Sequence, residues 1–261
     1  MEATIQLEEK PATKKQTTEK EVVVAMQHVK KSFGTNEVLS DINMTLCRGE
    51  NLVVLGRSGQ GKSVTIKCIV GLLLQDSGSL KVFGNEVKDL NEEQWKALRM
   101  KIGFLFQSGA LYDSMTVREN LAFPLTRVLK LKDNNEVQQR IEEVLEAVGL
   151  LDAIDKMPSD LSGGMRKRVG LARTLILKPE IMLYDEPTTG LDPITSREIS
   201  ELILEMQKKY QTSSIIITHD MACAKITSDR VVVMNSGSFI AEGTYTSLEQ
   251  HSDELVRSFF L

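Results

Sequence analysis

No apolar run in this sequence approaches the roughly 18 residues that a helix needs to cross a bilayer. The longest, Leu52–Gly56 and Ile181–Tyr184, are only strand-sized, so no spanning helix is expected. An excess of positive charge is also missing. Thirty-two Lys and Arg stand against 36 Asp and Glu, a net charge of −4, which gives no global field to hold nucleic acid or an anionic membrane surface. Cysteine is scarce: Cys47, Cys68 and Cys223 are odd in number and widely spaced, which excludes a disulfide framework or a C-x-x-C zinc site. All three are expected as small buried apolar side chains. His28 and His251 have no partner at metal-ligand spacing. The start, Met1-Glu2-Ala3-Thr4, lacks the apolar stretch of a signal peptide, so the expected location is cytoplasmic. Neither a repeat period nor a heptad run is present.

What is there is enough for one α/β domain. The chain has 261 residues, 41% of them hydrophobic, an ample core for one such domain with a helical insert. Residues 1–20 are polar and mixed in charge, as in Lys10-Pro11-Ala12-Thr13-Lys14-Lys15. Such a segment buries too little to offset ordering entropy, and a disordered tail is expected before a domain over 21–261. From Val22 onward, short β-rich runs alternate with amphipathic helices: Val22–Val29, Val38–Leu46 and Leu52–Leu55 come first. Ile102–Phe106, Ile181–Tyr184, Ile215–Ile217 and Val231–Val233 are apolar throughout, as strands of a sheet covered on both faces should be. Between the Ile102 and Ile181 runs no convincing strand is found, and Val137, Ile141, Val144, Leu145 and Val148 repeat at helical spacing. A helical subdomain is expected there, over about 108–175.

The chemistry begins directly after Leu52–Leu55. Gly56-Arg57-Ser58-Gly59-Gln60-Gly61-Lys62-Ser63 fits the G-x-x-x-x-G-K-[ST] phosphate loop in strand-to-helix context, with Val64, Ile66 and Ile69 opening the helix. Its glycines let successive N–H groups point at phosphate oxygens, Lys62 reaches the outer phosphates, and Ser63 is placed for Mg²⁺. The second element is Asp185-Glu186, which ends the apolar run Ile181–Tyr184. Ligands of such sheets sit at the carboxyl ends of the strands, so Asp185 is expected on Mg²⁺ and Glu186 as general base on water. Gln107 and His219 end two further runs and offer a neutral amide and an imidazole to the same crevice. Leu161-Ser162-Gly163-Gly164-Met165 opens a helix carrying Arg166, Lys167 and Arg168, a second anion-binding cap.

In this order the motifs resemble those of the ATP-binding-cassette family, across nearly the whole chain from Val22. Gly56–Ser63 looks like the Walker A loop, Gln107 like the Q-loop, and Leu161–Met165 like the signature motif. Ile181–Glu186 looks like Walker B, Leu191-Asp192 like the D-loop, and His219 like the switch histidine. The resemblance implies a P-loop NTPase (RecA-like) α/β core with an N-terminal antiparallel β subdomain and an inserted α-helical subdomain. It implies ATP and Mg²⁺ as cofactors. Phe33 would stack on adenine; Gly56 to Val64 would hold the phosphates. Ser63, Gln107 and Asp185 would surround the metal, and Lys62, Gln107, Glu186 and His219 would serve hydrolysis. It further implies an ATP-sandwich homodimer, in which Ser162, Gly163, Gly164 and Asp192 of one copy complete the nucleotide site of the other. Nucleic acid is not an expected partner.

The Q-loop spelling Phe106-Gln107-Ser108-Gly109-Ala110-Leu111-Tyr112-Asp113-Ser114-Met115-Thr116-Val117 is similar to that of ATPases paired with Mce-domain lipid transporters, and Met165 at the end of the signature agrees. This resemblance implies phospholipid cargo, separate transmembrane permease subunits, a periplasmic Mce-domain protein, and a peripheral position on the cytoplasmic face of the inner membrane. Two features depart from the pattern. Val64 follows Ser63 where a second hydroxyl is common, and the chain stops at Phe259-Phe260-Leu261, so no C-terminal tail is expected to clasp a neighbour. A soluble cassette acting on an assembly such as a ribosome or an iron–sulfur scaffold is the alternative reading.

Overall fold

The computed structural model describes residues 20–260; apart from Lys20, the expected tail lies outside them. The chain opens on a hairpin of β1 (Val22–Phe33) and β2 (Asn36–Cys47), then β3 (Asn51–Leu55), which runs through the glycine-rich loop into α1 (Lys62–Ile69). Next come β4 (Ser77–Val82), β5 (Asn85–Glu86), α2 (Glu92–Met100) and β6 (Ile102–Leu105). From there to β7 (Ile181–Asp185) the chain holds three α-helices and no strand: α3 (Val117–Arg127), α4 (Asn134–Ala147) and α5 (Gly163–Leu175). The last part alternates again, through α6 (Pro193–Tyr210), β8 (Ser213–Thr218), α7 (Met221–Thr227), β9 (Arg230–Asn235) and β10 (Ser238–Gly243), to the short helices α8 (Tyr245–Glu249) and α9 (Glu254–Arg257).

The strands form one sheet in the order β5-β4-β1-β2-β10-β9-β3-β8-β7-β6. Its two halves differ in sense. The pairs β3 with β8, β3 with β9, β7 with β8 and β6 with β7 are parallel, whereas β1, β2, β4 and β5 pair antiparallel. The halves meet through β10, antiparallel to β9 and bridged to β2 at Ser238 and Asp41. Each expected feature of the fold class is therefore present: a parallel α/β core, an antiparallel β part built from the first strands, and a helical insert.

The core strands are apolar throughout because both their faces are covered. Side chains alternate across a strand, so Val53 and Leu55 join the cluster that includes Met182, Tyr184 and Ile216 and packs on α3 to α6. Leu52 and Val54 turn the other way, to Ile66 and Ile69 of α1 and to the antiparallel strands. On α4 the stripe Val137, Ile141, Val144 and Leu145 is buried, as its spacing requires. Cys68 and Cys223 are buried as expected; Cys47 is only half-buried. The reason is the same alternation: Ile42, Met44 and Leu46 of β2 point inward, and Cys47 falls on the outer side.

Candidate active site

Four neighbouring parallel strands end on one edge of the sheet, and each delivers one of the expected residues there. β3 runs into the glycine-rich loop, His219 follows β8, Glu186 follows β7, and Gln107 lies just beyond β6. Together they border a cleft of about 380 Å³ lined by Ser58–Val64, Gln107, Glu186 and His219, with Val38 and Thr189 completing it. This is the crevice at strand carboxyl ends where α/β sheets bind ligands. Gly61 precedes α1 with φ of 101°, a left-handed turn that a side chain would strain. It aims the N-terminus of the helix, and its free N–H groups, at the cleft.

Lys62 is 5% exposed and folds back over its own loop: Nζ donates to the carbonyls of Gly56 at 2.6 Å and Arg57 at 3.1 Å. It also lies 3.5 Å from Glu186 Oε1. Ser63 Oγ donates to Asp185 Oδ1 at 2.7 Å, which joins the end of the phosphate loop to the end of β7. Glu186, with a side chain 12% exposed, is the most constrained group. Its other oxygen is 2.8 Å from His219 Nδ1 and accepts from the Thr189 hydroxyl at 3.3 Å. Its backbone has a φ of 51°, while its N–H donates to the Ile217 carbonyl at 2.9 Å. A carboxylate in the left-handed region is strained, and the surrounding bonds hold it there.

The remaining expected residues stand elsewhere. Phe33 is 47% exposed at the β1–β2 turn, with the Lys31 ammonium 5.6 Å from its ring, and does not border the cleft. Arg57 contributes its carbonyl to Lys62, and its guanidinium lies 5.9 Å from the ring of Phe259. Ser162 caps α5, accepting from the Met165 N–H at 3.2 Å, and Gly163 and Gly164 form the first turn. Asp192 caps α6, accepting from the N–H groups of Ile194 and Thr195 at 3.0 Å each and from the Thr195 hydroxyl at 2.6 Å. These bonds hold its carboxyl below the usual carboxylate range, the Thr195 hydroxyl contributing most. None of Ser162, Gly163, Gly164 or Asp192 borders the cleft of its own chain.

Two residues were missed by sequence reading. Thr189 carried a signal, being one turn beyond Glu186. Lys167 did not, since it reads as one of three basic residues on a helix. It is buried, and Nζ donates to the carbonyls of Gln107 and, at 3.4 Å, Glu186. Burial pushes its ammonium below the usual lysine range, and the carboxylates of Glu186 and Asp185 oppose that shift.

The family model described as ABC transporter matches residues 39–189, more than half of the chain, and its span runs from the cleft wall through the glycine-rich loop to Thr189. The chain belongs to the ABC transporter family. The methionine import ATP-binding protein MetN of Rhizobium johnstonii is 40% identical over 233 residues, 89% of this chain and 64% of its own length. The probable ribonucleotide transport ATP-binding protein mkl of Mycobacterium leprae is 36% identical over 238 residues, 91% of this chain and 68% of its own. The chain thus spans about two thirds of the curated relatives it matches. Among solved structures, cbiO1 from Clostridium perfringens, part of the ABC transporter complex cbiONQ, has a TM-score of 0.80 at 27% identity over 92% of this chain and 100% of its own. The ATP-binding cassette MJ0796, a dimer in a post-hydrolysis state bound to ADP and Pi, gives 0.77 at 28% identity over 85% of this chain and 98% of its own.

Proposed function

We propose that this ABC domain binds ATP in the cleft above α1 and hydrolyses it with Glu186 as general base. The observation that carries the reading is the fixed Glu186 carboxylate, one oxygen 2.8 Å from His219 Nδ1 and the other 3.5 Å from Lys62 Nζ, over a phosphate-loop N-terminus. A carboxylate in that place accepts a proton from water, and His219 sits beside it to meet the terminal phosphate. Lys62 and the loop N–H groups neutralise phosphate charge, and Gln107 closes the cleft from the β6 side. Phe33, on the exposed turn, is the proposed adenine platform.

The Ser63 hydroxyl and Asp185 carboxylate, 2.7 Å apart, are hard oxygen donors suited to Mg²⁺, with Gln107 as a further candidate. Among the described residues no three His, Cys, Asp or Glu gather as a metal cage. That suits an ion held by one or two protein groups together with substrate phosphates and water. When bound, Mg²⁺ neutralises charge on the transferred phosphoryl group.

The further reading is a homodimer, in which Ser162, Gly163, Gly164 and Asp192 reach the partner's nucleotide, driving separate membrane permeases from the cytoplasmic face of the inner membrane. Among the described residues no helix is long and apolar enough to cross a membrane, which leaves the spanning to such subunits. For cargo we favour phospholipid, delivered with an Mce-domain protein, on the Q-loop spelling Phe106–Val117 and on Met165. Methionine and ribonucleotides, named for two relatives, are the competing cargoes.

Phosphate release by the purified chain tests the chemistry. Glu186→Gln is expected to keep ATP binding and lose hydrolysis on the order of 10²- to 10⁴-fold, the usual worth of a general base; turnover at the wild-type rate removes Glu186 from that role. Purification from detergent-solubilised membranes tests the rest. A transporter subunit brings a polytopic protein with it, and mass spectrometry of the lipid retained by that complex separates a lipid carrier from the other two.

A further inference from the structure

Lys167 touches none of the reacting groups, yet it is bonded to the two strand ends that carry them. It belongs to a face of α5 on which Lys167, Gly170 and Arg173 recur at helical spacing. All three meet the loop that follows β6. Lys167 Nζ donates to the Gln107 carbonyl, and Arg173 Nη1 donates to the Ala110 carbonyl. Gly170 lies so close to the loop that a Cβ there would stand 2.8 Å from Gly109 O. The Arg173 guanidinium also lies 4.5 Å from the ring of Tyr112. The loop is therefore carried by the helix.

The same Lys167 ammonium reaches across to β7, where Nζ is 3.4 Å from the carbonyl oxygen of Glu186, the residue with the left-handed backbone. Lys167 is 6% exposed. Burying an ammonium is costly unless its donors are matched, and packing alone would be served better by an apolar side chain. An ammonium offers three donors; two of them meet carbonyls that lie just past the ends of two different strands. That is a cross-link between Gln107, Glu186 and the helix that begins at Ser162-Gly163-Gly164.

We propose that Lys167 is a positioning residue for ATP hydrolysis, tying α5 to Gln107 and to Glu186 so that the signature end of the helix and the general base keep a fixed relation. The inference rests on the reading of Glu186 as base. It acts through the backbone: without the tie, the Glu186 peptide loses one of the bonds that hold its strained conformation, and the carboxylate shifts in the cleft. Misplacement of a reacting group by about 1 Å costs on the order of 10²-fold in rate. Nucleotide affinity, set by the phosphate loop, should hardly change.

Steady-state hydrolysis and equilibrium ATP binding, measured on the full chain carrying Lys167→Met or Lys167→Gln, test this. Methionine keeps the length and loses the donors. Its kcat is expected to fall on the order of 10- to 100-fold, with the Kd for ATP within about threefold of wild type. Glutamine keeps N–H donors and is expected to regain most of the lost rate. The proposal is overturned if the methionine chain hydrolyses at the wild-type rate, if its kcat and affinity fall together, or if glutamine is as slow as methionine. Should the methionine chain fail to melt cooperatively, the glutamine chain decides. Near-normal melting with near-normal kcat upholds the tie, and normal melting with methionine-like slowness, read against Glu186→Gln, overturns it. Absence of hydrolysis in the wild type would sink the ATPase reading itself, whereas undiminished hydrolysis in Lys167→Met sinks only the role of Lys167.

Discussion

Lys62 already has its hydrogen bonds aimed at oxygen: the Gly56 carbonyl at 2.6 Å, the Arg57 carbonyl at 3.1 Å, and the Glu186 carboxylate at 3.5 Å. Its ammonium is thus buried and oriented by oxygens of its own loop, so a phosphate that takes their place exchanges neutral carbonyl acceptors for charged ones. Lys62→Ala removes that exchange and leaves the Gly56 carbonyl without its donor. Hydrogen bonds to charged groups are worth about 1.5–3 kcal/mol, so ATP affinity should fall on the order of 10- to 100-fold in calorimetric titration. Because Lys62 and Glu186 face the same phosphates and touch each other, the losses in kcat should not add. Lys62→Ala in a Glu186→Gln background is expected to slow hydrolysis little further than the slower single variant. Fully additive losses would mean that the two act independently, against the geometry of the cleft.

Arg230, the first residue of β9, binds three other parts of the fold at once. Its guanidinium donates to Glu50 at 2.7 and 3.0 Å, to Glu242 of β10 at 2.6 Å, and to the Thr45 carbonyl of β2 at 2.5 Å. This cluster stands where the antiparallel part joins the parallel core. Burial pushes the Glu50 carboxyl up, but the Arg230 bonds and the Cys47 N–H outweigh it and hold it below the usual carboxylate range. Glu50 therefore contributes stability above its unfolded pKa and loses that contribution as pH falls through the folded one. Arg230→Met leaves a buried carboxylate unpaired, and a loss of about 3–5 kcal/mol is expected. In the variant, burial is opposed mainly by the Cys47 N–H, and the neutral form of Glu50 is favoured relative to wild type. Thermal melts of the two chains should accordingly converge as pH falls through the ordinary carboxylate range; a gap that stays constant would show that the charge is not what matters. Elements differ in how far the sequence announces them, for related reasons. The core strands were readable because both faces are buried and every residue is apolar; α4 was readable from its stripe. By contrast β4 buries only Leu80 and Val82, β10 has mostly half-buried side chains, and α2 buries only Leu98, so these elements leave too few buried positions to set a clear period. The phosphate loop is legible because its donors are contiguous. The link through Lys167 is not, because its partners stand 60 and 19 residues away and the fold alone brings them together.

At the scale of the molecule, the residues proposed to meet nucleotide fall into two sets that stand apart on one chain. Ser162, Gly163, Gly164 and Asp192 lie outside the cleft of their own chain. They are fixed there, for a Cβ on Gly164 would stand 2.6 Å from Thr195 Cγ2, and Asp192 is committed to capping the helix on which Thr195 sits. The caps of α5 and α6 thus form one packed edge, with Ile194 73% exposed beside it. An edge so fixed cannot fold over onto its own cleft without breaking those caps, whereas a second copy related by a two-fold axis could present it there. The homodimer reading predicts that nucleotide cements the pair. Glu186→Gln with ATP should elute as a species of twice the protomer mass in light scattering, and the same chain without nucleotide should not. Adding Ser162→Arg to that variant fills the cap with a bulky cation at the seam and should return it to the protomer mass with ATP still bound to the phosphate loop. If the doubled species survived Ser162→Arg, the copies would be meeting through another surface, and the signature edge would have to act on something other than a partner's nucleotide.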